Sequence, residues 1–167
     1  MVSNAGDVNG DGISDVIIGA YHASPGGDSQ AGESYVIFGK VSGFTASVNL
    51  TSLDGTNGFR LDGIDPVDGA GLSLSGAGDI NGDGFSDLII GASHANSGSN
   101  AVAGETYVVF GRADGFASAI DLNTLDGTTG FRLNGIDAGD ASGISTTGDQ
   151  DQDVFAGTRG PAGTGRP

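Results

Sequence analysis

Cysteine is absent, so neither disulfides nor thiolate–metal sites hold this chain together. Basic residues are scarce. Six Lys and Arg stand against 21 Asp and Glu, for a formal charge of −15. That balance argues against nucleic-acid partners and anionic membrane surfaces, which need basic patches. No apolar run approaches the roughly 20 residues of a membrane-spanning helix, so no membrane insertion is expected. Met1 is followed by Val2-Ser3-Asn4-Ala5-Gly6, without the basic and apolar regions of a signal peptide. There is no Arg-Gly-Asp tripeptide and no Asp-x-Ser-x-Ser metal-adhesion motif.

Glycine and aspartate are abundant, and both are placed rather than scattered. Most of the 33 glycines sit at corresponding places in a repeat and so mark turns. Nine of the 21 acidic residues fall in three short stretches: Asp7, Asp11, Asp15; Asp79, Asp83, Asp87; and Asp149, Asp151, Asp153. Clustered like charge is costly without a neutralising cation.

The first stretch is Asp7-Val8-Asn9-Gly10-Asp11-Gly12-Ile13-Ser14-Asp15, and the second is Asp79-Ile80-Asn81-Gly82-Asp83-Gly84-Phe85-Ser86-Asp87. Carboxylates or amides occupy positions 1, 3, 5 and 9 of each. Glycines at positions 4 and 6 permit the backbone of a tight curl. Oxygen donors alone favour calcium over zinc. The candidate ligands are Asp7, Asn9, Asp11, Asp15, Asp79, Asn81, Asp83 and Asp87, with the backbone carbonyls of Ile13 and Phe85 at position 7. An EF-hand would need Glu at position 12 and flanking helices. Position 12 is Ile18 or Ile90. The following runs, Val16-Ile17-Ile18 and Leu88-Ile89-Ile90, read as buried strands. An ordinary Asn-Gly or Asp-Gly hairpin turn is the alternative, and two copies with every oxygen position kept weaken it.

Asp7 recurs as Asp79, a period of 72 residues. At that shift Gly19-Ala20 meets Gly91-Ala92, Phe38-Gly39 meets Phe110-Gly111, and Gly58-Phe59-Arg60-Leu61 meets Gly130-Phe131-Arg132-Leu133. Each period reads as four strands. In the second these are Gly71–Ser75, Leu88–Ala92, Thr106–Phe110 and Gly130–Asn134. The link between the third and fourth is expected to hold a short strand or helical turn near Asp121–Leu125. Four strands per period, turn glycines and two-sided burial of the middle strands predict an all-β chain of β-propeller blades, each of four antiparallel strands. The expected divisions are a first blade at 1–65, a second at 69–137, a truncated third at 141–157 and a disordered tail at 158–167. The damaged third loop, with Asp149, Asp151 and Asp153, lacks the loop glycines and is a weaker metal candidate.

The DxNxDGxxD loops, with Phe38-Gly39, Phe110-Gly111, Gly19-Ala20 and Gly91-Ala92, resemble the FG-GAP repeat. That repeat is the blade of the integrin alpha-chain propeller, and it also occurs in large bacterial exported proteins and in glycosylphosphatidylinositol-specific phospholipase D. The resemblance covers about residues 1–153. It implies calcium in the loop between the first two strands, on the ligands named above, and an extracellular or surface location. The long regular period is closer in style to the bacterial members. The family's Pro after Gly-Ala is Tyr21 and Ser93 here. Propellers close with about 4–8 blades, so two blades and a stub imply a fragment of a longer array. Self-association through exposed blade faces is the alternative.

The leading expectation is therefore a calcium-binding structural module of an adhesion or protein-interaction type, with a protein or glycan ligand on its loops. A second is an accessory portion of a secreted phospholipase-like hydrolase. A third is a calcium buffer or an inert fragment. The catalytic candidates are His22 and His94 with Glu33 and Glu105. They recur in both repeats, whereas a catalytic residue is normally unique, so no catalytic residue is assigned. Ser24 and Ser29 read as solvated loop residues. Arg60 and Arg132 read as cross-strand partners of Asp or as solvated.

Overall fold

The computed structural model describes residues 1–146. The third acidic stretch, with Asp149, Asp151 and Asp153, the remainder of the expected third blade and the 158–167 tail lie outside the described residues.

The described residues form two sheets, antiparallel except for one added strand, and no α-helix. In the first sheet, β1 (Val2–Gly6), β2 (Asp15–Ala20), β3 (Glu33–Ile37) and β4 (Gly58–Asp62) pair in chain order. In the second, β5 (Ser73–Gly78), β6 (Asp87–Ala92) and β7 (Glu105–Val109) pair in order, and a later strand, Gly130–Asn134, follows β7. Each sheet is a four-stranded meander of the blade type, and together they are a partial propeller.

The link between the third and fourth strands of the second repeat holds both elements expected of it. β8 (Ala119–Asp121) leads into a 3-10 turn, Leu122–Thr124. The last strand, Gly130–Asn134, is β9. However, β8 does not join its own sheet. It runs parallel to β4 and becomes the fifth strand of the first. There Leu122 is buried in the core and Ile120 packs against it.

The first strand of the second repeat starts later than expected, at Ser73 rather than Gly71. Gly71 has a φ of 88° and crosses the first sheet at Gly19. A Cβ on Gly19 would lie 2.1 Å from the Gly71 carbonyl oxygen. The same crossing recurs one period on, where a Cβ on Gly91 would lie 1.9 Å from the Gly143 carbonyl oxygen. The Gly-Ala motif thus marks where the entering strand of the next repeat passes over a blade, and only a residue without Cβ permits that approach.

The core lies between the sheets. Ile17, Val36, Phe59 and Leu61 of the first sheet meet Leu74, Leu88, Ile90 and Tyr107 of the second, all fully buried. Phe116, from the same link as β8, stacks on Phe59 with ring centroids 4.2 Å apart. β7 is buried along its whole length, as its two-sided apolar pattern predicts. β3 is buried less completely, because its other face meets no sheet among the described residues.

Candidate metal centre

Each acidic stretch joins the first two strands of its sheet, and the ladder shifts register where the strand enters it, between Asn4 and Gly6 and between Gly76 and Gly78. The chain then curls round the first Asp. Asp7 Oδ1 accepts from the N–H groups of Gly10 (2.8 Å) and Asp11 (3.0 Å), and its Oδ2 accepts from Gly12 (2.8 Å). Asp79 repeats this with Gly82 (2.7 Å), Asp83 (3.0 Å) and Gly84 (2.9 Å). Gly10 and Gly12 sit at φ of 75° and 83°, and Gly82 and Gly84 at 77° and 95°. The curl needs those left-handed angles.

The middle positions follow suit. Asn9 Oδ1 accepts from Asp11 N–H and Asp11 Oδ1 from Ile13 N–H. Asn81 and Asp83 make the same bonds to Asp83 and Phe85. Asn9 Nδ2 donates to Asp11 Oδ2 at 3.2 Å, and Asn81 Nδ2 to Asp83 Oδ2 at 2.8 Å.

The last Asp closes the loop from below. Asp15 Oδ2 accepts from Val8 N–H and its Oδ1 from Gly39 N–H. Asp87 does the same with Ile80 and Gly111. The glycine of the Phe-Gly motif is therefore the donor that ties the loop to the end of the third strand. A Cβ on Gly39 would lie 2.5 Å from the Ser14 carbonyl oxygen, and one on Gly111 2.5 Å from that of Ser86. The sequence marks these glycines as motif members, but their role depends on a contact 24 residues distant.

Burial pushes the Asp15 carboxyl up to about 6. The Gly39 and Val8 N–H groups oppose that rise, and the charges of Asp11 and Asp7 add to it. Asp87 is raised for the same leading reason, against the N–H groups of Gly111 and Ile80. Among the described residues no Asp of either loop forms an ion pair. The ion pairs among the described residues are Arg60–Asp62, Arg112–Asp114 and Arg132–Glu105.

The donor set fits a hard cation, since every side-chain ligand offered is an amide or carboxylate oxygen. The carboxylates are not gathered on one point, however. Among the described residues no three Asp, Glu, His or Cys side chains stand close enough together to hold a metal ion. Backbone N–H groups shape the curl instead.

Position 7 has a packing role that the sequence reading, which gave it only a carbonyl, did not include. A Cβ on Gly10 would lie 2.3 Å from the Phe85 ring, so Phe85 of the second loop reaches the first. Ser86 strengthens that contact. Its N–H donates to the Asp7 carbonyl (2.9 Å), and its Oγ accepts from Asp7 N–H (3.1 Å). Arg112 N–H donates to the Val8 carbonyl at 2.9 Å. The two acidic loops thus dock on each other across the seam between sheets.

The repeated Glu residues hold the repeated Tyr residues. The Tyr35 hydroxyl donates to Glu33, and the Tyr107 hydroxyl donates to Glu105 at 2.5 Å. Burial and that carboxylate push the Tyr35 hydroxyl up to about 12 and raise Tyr107 as well. His22 rests against the Tyr21 ring at 4.1 Å. Arg60 pairs with Asp62 on its own strand, not across strands as expected, because residues two apart share a face. The second repeat has Asn134 at that place, so Arg132 turns to Glu105 across the ladder.

Paired meander sheets, crossing glycines and capped acidic loops define a tandem β-blade repeat protein. The FG-GAP repeat model matches residues 2–37 and 70–109. Phosphatidylinositol-glycan-specific phospholipase D of Mus musculus is 33% identical over 118 residues, 71% of this chain and 14% of that protein. Integrin alpha-PS5 of Drosophila melanogaster is 36% identical over 94 residues, 56% of this chain and 8% of that protein. Integrin alpha-M of Mus musculus is 37% identical over 90 residues, 52% of this chain and 7% of that protein. The chain belongs to the FG-GAP repeat family and is integrin alpha-like in its repeats. It spans 14% or less of the length of these curated relatives.

Proposed function

We propose that the chain is a calcium-stiffened blade module of an extracellular or cell-surface protein, with a structural and protein-interaction role and no catalysis of its own. One observation carries this reading. The same hydrogen-bonded curl forms twice, and it leaves Asp7, Asp11, Asp15, Asp79, Asp83 and Asp87 without a basic partner among the described residues. Asp7, Asn9, Asp11, Asp15 and the Ile13 carbonyl would hold one calcium ion. Asp79, Asn81, Asp83, Asp87 and the Phe85 carbonyl would hold another. Bound cations neutralise carboxylates that otherwise repel. Asp15 and Asp87 link each loop to the Phe-Gly glycine, and Phe85 with Ser86 links loop to loop, so stiffness gained in the loops passes to the seam between blades. Surface loops remain for a protein or glycan ligand. The resemblance to integrin alpha chains supports the adhesion class and the location.

Thermal unfolding with calcium, with magnesium and with chelator tests the reading. Calcium at about 100 times its dissociation constant adds roughly 2.7 kcal/mol for each loop that binds an ion. Extracellular modules bind at about 10⁻⁴–10⁻³ M, so that ratio is reached at about 10–100 mM calcium. Identical melting in calcium and chelator would refute the proposal.

A second reading follows from the match to a phospholipase D over 118 residues: the chain is an accessory part of a hydrolase. The repeated Glu33 and Glu105 are engaged with tyrosines, which supports support work over chemistry. Phosphodiesterase activity lost on His22→Ala with His94→Ala, at unchanged stability, would favour this second reading.

A further inference from the structure

Among the described residues, the counterparts of the seam inside this chain are uncovered at each end. Within the chain, β8 adds in parallel to β4, with Arg60, Leu61 and Asp62 opposite Ala119, Ile120 and Asp121. Arg60 N–H donates to the Ser118 carbonyl at 3.0 Å. Phe116 stacks on Phe59, and its carbonyl fills a slot over Gly55, where a Cβ would lie 2.1 Å from it.

One period earlier, Phe44 and Val48 stand where the second repeat has Phe116 and Ile120, and both are exposed. One period later, Phe131, Leu133 and Gly127 stand where the first repeat has Phe59, Leu61 and Gly55. Leu133 is exposed, nothing lies within 4 Å of a Cβ built on Gly127, and no strand among the described residues pairs with the outer edge of β9. Described residues of the third repeat lie elsewhere, with Gly143 over Gly91 and Ser142 beside Gly104.

We propose that a second copy of this chain docks head to tail, adding its 47–49 segment in parallel to β9. Ser47, Val48 and Asn49 would face Arg132, Leu133 and Asn134, and Phe44 would lie against Phe131 and the Gly127 slot. Two observations select a second copy as the occupant. The covered seam shows that these residue types at this spacing pack together, and the chain carries both halves. The charges also improve. The internal seam sets Asp62 opposite Asp121, a like-charge pair, whereas the external one sets Asn134 opposite Asn49. Such a contact is heterologous, so it either closes into a ring or propagates. It does not rest on cation binding.

Sedimentation equilibrium of the full chain at physiological ionic strength tests this. Salt is needed because a charge of −15 on each copy opposes approach. The mass should rise with concentration for the unmodified chain. Val48→Asp and Leu133→Asp should each be monomeric, with far-ultraviolet dichroism unchanged, since both positions are exposed. An equimolar mixture of the two variants keeps one intact pair of faces and should form a two-copy species and nothing larger. A monomeric unmodified chain at its highest soluble concentration overturns the proposal. So does association by either variant alone, or a mixture that stays monomeric.

Discussion

The two blades share their pattern residue by residue, yet they bury opposite faces. Val16 is 41% exposed while its counterpart Leu88 is fully buried. Across the sheet the order reverses: Leu61 is fully buried and its counterpart Leu133 is 50% exposed. Val8 and Ile80, on the acidic loops, follow Leu61 and Leu133. The first blade buries the face toward the second, and the second buries the face toward the first. Burial of a repeat residue is therefore a property of the seam, not of the residue, as nearest-neighbour stacking requires.

Paired substitutions at counterpart positions should differ in cost according to their seam. Leu61→Ala should cost about 3–4 kcal/mol, as for a fully buried leucine, and Leu133→Ala less than about 0.5 kcal/mol. Urea unfolding of a monomeric sample measures both, and equal losses would show that burial at these positions does not depend on the seam. Next come the crossing glycines. Gly19→Ala forces a Cβ into the Gly71 backbone beneath a complete blade and should cost about 3 kcal/mol.

The link between sheets supplies a pH dependence. Asp68 is buried, and burial, with the nearby Asp65 charge, pushes its carboxyl up to about 6. The folded protein then keeps a proton that the unfolded chain releases near pH 4. Stability should fall between about pH 4 and pH 6, by on the order of 2 kcal/mol, and level off above. Asp15 and Asp87 act in the same direction. In chelator, Asp68→Asn should flatten the slope, and an unchanged slope would remove Asp68 from the account. The smallest effect is at the loop seam. Ser86→Ala removes the acceptor for Asp7 N–H and should cost about 1 kcal/mol, whereas Ser14→Ala, at the exposed counterpart, should be nearly silent.

The loops, the period and the meander strands were legible in the sequence because their signals are short-range. Alternating apolar residues, turn glycines and the 1-3-5-9 oxygen spacing each span fewer than ten residues. The parallel strand at Ala119–Asp121 was not legible as such. Ser47-Val48-Asn49 has the same small-apolar-polar pattern and forms no strand, because no partner edge stands beside it among the described residues. The contacts that close the candidate site were also hidden. Gly39 to Asp15 and Ser86 to Asp7 join residues that only the folded sheets bring together. Asn134 in place of Asp62 redirected Arg132 to Glu105, which the repeat alone could not indicate.

Calorimetric titration with calcium reports directly on whether the two acidic loops hold cations. The unmodified chain should release or absorb heat in a saturable step. Asp11→Ala and Asp83→Ala should each remove part of it, and the double variant should remove what both loops contribute. An isotherm that survives both substitutions unchanged would contradict the assignment of cations to these loops.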